Sequence, residues 1–184
     1  GSCFSDNYTI KLLGDFEKIY NIDLKNNFIR VGAGITLINL SEYLLKFNKQ
    51  IKSTGNCIQK NISQTIGGLC STNVHHTGKC LYPFSETCLL IKVLHYNKNK
   101  NIELHIYNSN HPDFYYFFGT IGTLGIITEI TLQIEDIKYY KIENIEKTDF
   151  IKNDIINNGC IIYKPFNLNN LELTKFTILN NNNK

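Results

Sequence analysis

Between Ser53 and Lys79 the chain reads S-T-G-N-C-I-Q-K-N-I-S-Q-T-I-G-G-L-C-S-T-N-V-H-H-T-G-K. Gly55, Gly67, Gly68 and Gly78 are interleaved with Ser63, Thr65, Ser71, Thr72 and Thr77. Between its bounding positions the stretch carries one lysine, Lys60, and no proline. Glycine lets backbone come close to a ligand and take φ > 0. Hydroxyls add short donors at the same place. This chemistry suits a chain laid against a polyanionic cofactor, with amide N–H groups as donors. A Gly/Ser/Thr surface loop is the plainer reading. Ile58, Ile62, Ile66, Leu69 and Val74, threaded through the stretch, favour buried turns with close backbone approach instead.

A second stretch has the same character. Gly119-Thr120-Ile121-Gly122-Thr123-Leu124-Gly125 feeds the alternating run Ile126 to Leu132. Ile126 follows directly on a glycine that permits close approach. Other reactive types are less telling. His75 and His76 are adjacent, which makes no metal site without further ligands at suitable spacing. The six cysteines (Cys3, Cys57, Cys70, Cys80, Cys88, Cys160) form no C-x-x-C pair, which argues against zinc. Reduced, mostly buried thiols in an intracellular protein are the default expectation. No neighbouring basic pattern marks Cys70 or Cys80 as a reactive thiol.

The totals bound the rest. At 184 residues the chain is one domain and a fraction, long enough to bury a core. A net charge of +3 is weak evidence for a polyanionic partner, and Arg30 is the only arginine. A nucleic-acid reader would use more arginine, so that class is set aside. No apolar run approaches the ~18 residues of a membrane span, and no signal peptide is visible.

The elements that must position these residues follow from local pattern. Residues 9–13 and 17–23 read as strands around a Gly14-Asp15 turn, and residues 28–33 as a third after a Lys25-Asn26-Asn27 turn. Thr36 caps a helix from Leu37 to about Asn48, with Leu37, Leu40, Leu44 and Phe47 facing the core. Strand, Gly32-Ala33-Gly34 and helix invite a dinucleotide-fold reading. The third glycine is missing, because Leu37 stands there, and no acidic residue ends a second strand. A tight strand-to-helix turn is the better reading. Residues 86–96 and 102–107 form a hairpin, with Thr87, Leu89, Ile91 and Val93 on one face. Asn110 caps a short aromatic helix from Phe114 to Phe118. Beyond residue 137 glycine nearly vanishes. Strands are expected over 138–145, 160–163 and 171–179, with a helix capped by Thr148 between the first two and stopped by Gly159.

Several blocks, in order, resemble the FAD-binding half of flavoproteins of the vanillyl-alcohol oxidase type. In particular they resemble the aldonolactone oxidoreductases, the family of D-arabinono-1,4-lactone oxidase and L-gulonolactone oxidase. Gly1-Ser2-Cys3-Phe4-Ser5 stands where that family has a G-x-G-H-S pyrophosphate turn. Residues 29–37, I-R-V-G-A-G-I-T-L, match its V-x-A-G-x-x-L block. Residues 62–68 with 71–78 resemble its I-S-x-x-x-x-G…S-T-G-T-H-G-T-G block. Residues 110–114 and 122–129, N-H-P-D-F and G-T-L-G-I-I-T-E, match its N-x-D-L-F and G-x-L-G-I-I-T-E blocks.

The resemblance implies an α+β fold: an FAD-binding domain of the PCMH type over residues 1–136, with the cofactor extended between two subdomains. It further implies that the family's N-terminal strand–helix unit is lacking, and that residues 137–184 begin an α+β substrate (cap) domain. Ser2, Cys3, Phe4 and Ser5 would meet the FAD diphosphate. Ser63, Thr65, Gly67, Gly68, Ser71 and Thr72 would line the rest of the cofactor, with Gly78 in the same block. His75 would sit beside the flavin, and the Ile126 backbone would touch the flavin or adenine end. Phe4 occupies the position of the family's flavin-linked histidine, so FAD would be bound non-covalently. Cys3, Asn73 and His76 stand at family glycines. The implied activity is hydride transfer from a hydroxyl-bearing carbon of a sugar-1,4-lactone to flavin. No catalytic acid or base carries over, no metal is implied, and a second chain or an oligomer could complete the site. The alternative is a degenerate, non-catalytic relative that keeps the fold for structure or assembly.

Overall fold

The structure is a computed structural model that describes residues 11–52, 64–74, 83–97, 99–137, 139–145, 160–163 and 173–179. These fall into two compact units, one ending at Asp136 and one starting at Ile137. The expected helix after Thr148 lies outside the described residues.

The first unit is built on an antiparallel sheet. Its strands are β1 (Ile19–Asp23), β2 (Phe28–Gly32), β3 (Lys49–Ile51), β4 (Cys88–Tyr96), β5 (Ile102–Asn108) and β6 (Ile126–Asp136). The order is β1-β2-β6-β4-β5, with β3 also paired to β6. β6 is therefore the central strand. It sets Val31 opposite Ile130 on one side and Ile91 opposite Ile130 on the other. Alternation divides the faces. Ile29 and Val31 of β2 are buried while Arg30 between them is exposed. Ile91, Val93, Ile130 and Leu132 join the same core. A register shift between Cys88 and Leu90 puts Cys88 and Ile91 inward and leaves Leu89 half-buried, against the strict alternation expected of that strand.

Two helices supply the other side of the core. α1 (Leu37–Leu45) is capped by Thr36, whose hydroxyl accepts from Asn39 N at 3.3 Å. Leu37, Leu40 and Leu44 are buried, at helical spacing. The helix ends before Asn48, which takes φ 54° in the left-handed region that asparagine tolerates. Phe47 is consequently past the helix and 37% exposed, not core. α2 (Ile66–Thr72) buries Ile66, Leu69 and Cys70.

Several expectations are corrected. Residues 11–13 are not strand. The chain instead makes a 3-10 turn at Gly14–Glu17, whose backbone lies against the Gly32-Ala33-Gly34 turn: Gly32 N donates to Lys18 O and Gly34 N to Phe16 O, both at 2.8 Å. A Cβ on Gly32 would fall 2.1 Å from Phe16 O. This G-x-G therefore serves chain packing, and the antiparallel sheet rules out the dinucleotide fold with its parallel strands. Phe114–Phe117 is a 3-10 turn, not an α-helix. Asp113 precedes it, and no side chain caps it. Asn110 plays no capping part there.

The second unit is a three-stranded antiparallel sheet of β7 (Tyr139–Ile145), β8 (Cys160–Tyr163) and β9 (Leu173–Leu179), ordered β7-β9-β8. Tyr139 pairs with Leu179, and Cys160 with Phe176.

Candidate cofactor-binding site

Within the first glycine-rich stretch the described residues form α2, a helix that local signals do not announce. Tertiary hydrogen bonds make it. Leu37 N donates to Gln64 O at 2.8 Å, and Ile66 N donates to Ile35 O at 2.9 Å. Thr65 is the N-cap, and its hydroxyl oxygen accepts from Gly68 N at 3.2 Å. Gly67 N donates to Ala33 O at 2.8 Å. The amides of Gly67 and Gly68, read from sequence as donors to a cofactor, are thus engaged within the protein.

The helix then divides its residues by face. Gly67 is buried, and a Cβ there would lie 2.9 Å from Ala33 Cβ and 3.0 Å from its carbonyl oxygen. Gly68 is exposed, and a Cβ there would meet only Thr65 Oγ1, at 3.2 Å. Thr65, Gly68 and Thr72 follow one another at steps of three and four, which places them on one stripe. Thr72 hydroxyl donates to Gly68 O at 2.8 Å. Thr65 Oγ1 accepts from an amide, so its own proton remains available to a ligand. Ser71 is half-buried beside this stripe.

The second glycine-rich stretch closes on the far end of the same helix. Gly119 N donates to Cys70 O at 3.4 Å, and Ile121 N donates to Ser71 O at 2.9 Å. Ser71 O is a last-turn carbonyl that the helix cannot satisfy internally, while Cys70 O takes its bond in addition to one from Asn73 N at 3.0 Å. Asn73 ends the helix at φ 46°, and its side-chain oxygen accepts from Ser85 N at 3.0 Å. Ile126 opens β6 opposite Leu94, half-buried. It joins the assembly through Ala33, whose N donates to Thr128 O at 2.9 Å while its O accepts from Gly67. The structure therefore brings Thr65, Gly67, Gly68, Ser71 and Thr72 together with the 119–125 loop and connects them to the strand of Ile126. Ser2, Cys3, Phe4, Ser5, Ser63, His75 and Gly78 lie outside the described residues.

Two clusters escaped the sequence reading. On the sheet face that carries Arg30, buried Glu129 accepts from Lys92 Nζ at 3.0 Å. Arg30 Nε approaches Glu129 Oε1 at 3.5 Å without hydrogen-bond geometry, and that oxygen has no hydrogen-bond partner. Arg30 also lies over the Tyr20 ring, 5.4 Å from its centroid. The spacing of charges across strands could have found this ladder only with the register known. The second cluster is a thiol pair: Cys70 and Cys88 are free and buried, with their sulfurs 3.7 Å apart. Burial, with the neighbouring Cys70 sulfur adding to it, pushes the Cys88 thiol up. A groove of about 300 Å³ beside α1, lined by Glu17, Ile19, Ile35 and Tyr43 among others, involves none of the candidate residues. Among the described residues no group of three or more His, Cys, Asp or Glu side chains could hold a metal ion. No helix among them is long and apolar enough to cross a membrane.

Residues 1–103, more than half of the chain, match the family described as FAD binding domain. The chain belongs to this FAD-binding domain family. It is 28% identical over 118 residues to rice L-galactono-1,4-lactone dehydrogenase 2, mitochondrial, covering 64% of this chain and 19% of the relative. The Brassica oleracea L-galactono-1,4-lactone dehydrogenase matches at 27% over the same length, 64% of this chain and 18% of that one. The chain therefore spans about a fifth of the length of the curated relatives it matches. Among solved structures, a solvent-stable cholesterol oxidase superposes with a TM-score of 0.68 at 18% identity, covering 89% of this chain and 35% of that one. A cholesterol oxidase from Brevibacterium sterolicum gives 0.63 at 15%, covering 89% and 34%. At such identity the likeness is one of fold. The expected α+β, PCMH-type FAD-binding fold is the one found, and the resemblance to the aldonolactone oxidoreductases is supported by the lactone dehydrogenase relatives. FAD is the cofactor of this domain.

The donor chemistry around α2 fits FAD. The outer stripe offers the Thr65 hydroxyl, half-buried Ser71 adds a second beside it, and Gly68 keeps the stripe free of bulk. Exposed Ile121 and Leu124 on the adjoining loop offer apolar surface suited to a ring system.

Proposed function

We propose that this chain is the cofactor-holding part of an FAD-linked oxidoreductase that acts on sugar-1,4-lactone substrates. FAD, when bound, supplies the hydride acceptor for a hydroxyl-bearing carbon. The chain's own residues bind and orient it. Thr65 and Ser71 donate hydroxyl hydrogen bonds to the cofactor, Gly68 lets it lie close to α2, and the loop bonded to Cys70 and Ser71 holds the helix end in place. Ser2 to Ser5 serve the diphosphate, and Phe4 makes the attachment non-covalent. Ser63, Thr72, His75, Gly78 and the Ile126 backbone complete the contact set. On this reading residues 1–136 are the FAD-binding part and residues 137–184 begin the substrate domain. A small polar lactone is the substrate, and a second chain or a second copy completes the site.

The observation that carries the reading is the junction of the two glycine-rich stretches at Cys70 and Ser71, because it joins at one helix end two segments that each resemble a block of the aldonolactone oxidoreductases. A second reading, a non-catalytic relative, draws on the amides of Gly67 and Gly68, which are engaged by Ala33 O and Thr65 Oγ1 and leave fewer donors for an anionic cofactor. The visible absorbance of the purified protein, before and after acid precipitation, separates the two. Flavin bands released into the supernatant support non-covalent FAD. A protein that stays colourless with excess FAD overturns the first reading in favour of the second.

A further inference from the structure

Five described non-glycine residues have positive φ: Asn27, Asn48, Asn73, Lys100 and Ile121. Three are asparagine, which tolerates the left-handed region, and Lys100 sits in the tip of the β4–β5 hairpin. Ile121 is different in kind. A β-branched side chain at φ 56° is strained, and the adjacent Gly122, at φ 80°, shows that the turn has glycine within reach. The strain is not repaid by burial, because Ile121 is 73% exposed. Its amide, donated to Ser71 O, needs no side chain at all. The residue is nonetheless pinned directly to a residue of the candidate cofactor surface.

We infer that the Ile121 side chain is a ligand contact: it packs against a planar ring of the FAD bound along α2. This rests on the FAD reading above and adds a residue to it. An isoleucine held off its preferred backbone and left exposed gains little from packing within the protein. It gains apolar burial when a heterocycle covers it, and backbone strain of this kind gathers at ligand clamps. Leu124, half-exposed on the same loop, extends the apolar surface.

The test uses the intact chain with Ile121→Gly and Ile121→Ala, read by thermal melting without cofactor and by equilibrium titration with FAD. Glycine relieves the strain, so its melting temperature rises by about 2–4 °C. Alanine keeps much of the strain and moves the melting temperature little. Both lose the apolar contact, and both weaken FAD binding about tenfold. Competition by ADP then reports which ring is touched: weakened ADP binding in the variants marks the adenine, and unchanged ADP binding with weakened FAD binding marks the isoalloxazine. If wild type binds FAD and both variants bind it equally well, the contact is refuted while the FAD reading stands. If wild type binds no FAD, both fall.

Discussion

Gly67 would drive a Cβ into Ala33, whereas its neighbour Gly68 faces solvent and meets only the Thr65 hydroxyl. Sequence gives the two residues one meaning, a backbone bared for a ligand. The fold gives them two. The inner glycine lets α2 sit against the Gly32-Ala33-Gly34 turn, and the outer one leaves a low stripe between Thr65 and Thr72. A glycine pair beside a cofactor is thus half packing and half site, and substitutions should separate the halves.

The largest expected effect is on the inner side. Gly67→Val overpacks the contact with Ala33 and destabilises the protein by about 2–3 kcal/mol, which a thermal melt reads as a drop of about 5–10 °C. An unchanged melt would remove the packing role. Glu129→Gln is the control on the opposite sheet face. It leaves Lys92 and Arg30 without their carboxylate and costs about 1–2 kcal/mol in urea unfolding, discounted because Lys92 is partly exposed. Its FAD affinity should match wild type.

Thr65→Ala removes the helix cap and should cost about 1 kcal/mol while also weakening FAD binding; Thr65→Ser, which keeps the hydroxyl, should restore both. A variant that loses stability but not affinity would confine Thr65 to capping. The smallest shift is at the outer glycine. Gly68→Ala should move stability by less than about 0.5 kcal/mol, because the gain in helix propensity is offset where the new methyl crowds the capping Thr65 Oγ1 at 3.2 Å, and still weaken FAD binding, since the methyl occupies the stripe. If affinity and stability rise together, the outer face is not the cofactor surface.

How much of this was legible depends on the range of the forces. Thr36 announces α1, and Asn97 to Asn101 announce the β4–β5 hairpin, because caps and turns are local chemistry. α2 was hidden. Two glycines, a serine and threonines have poor helix propensity, and what makes the helix is bonding from Ile66 and Gly67 to Ile35 and Ala33, thirty-odd residues away in the chain. The aromatic run after Pro112 promised a helix, but only the 3-10 turn Phe114–Phe117 forms. The family blocks marked both glycine-rich stretches, yet no local signal said that Ile121 would bond to Ser71. Nor did any propensity place a β-branched residue in the left-handed region, where glycine is the ordinary choice.

Hydrogen–deuterium exchange with and without FAD tests the central claim most directly, because it reads the backbone of both stretches at once. FAD should slow exchange over residues 64–74 and 119–126 and leave β5 unchanged. Protection that falls elsewhere, or binding with no change in those two segments, would contradict the account of α2 and its loop as the cofactor surface.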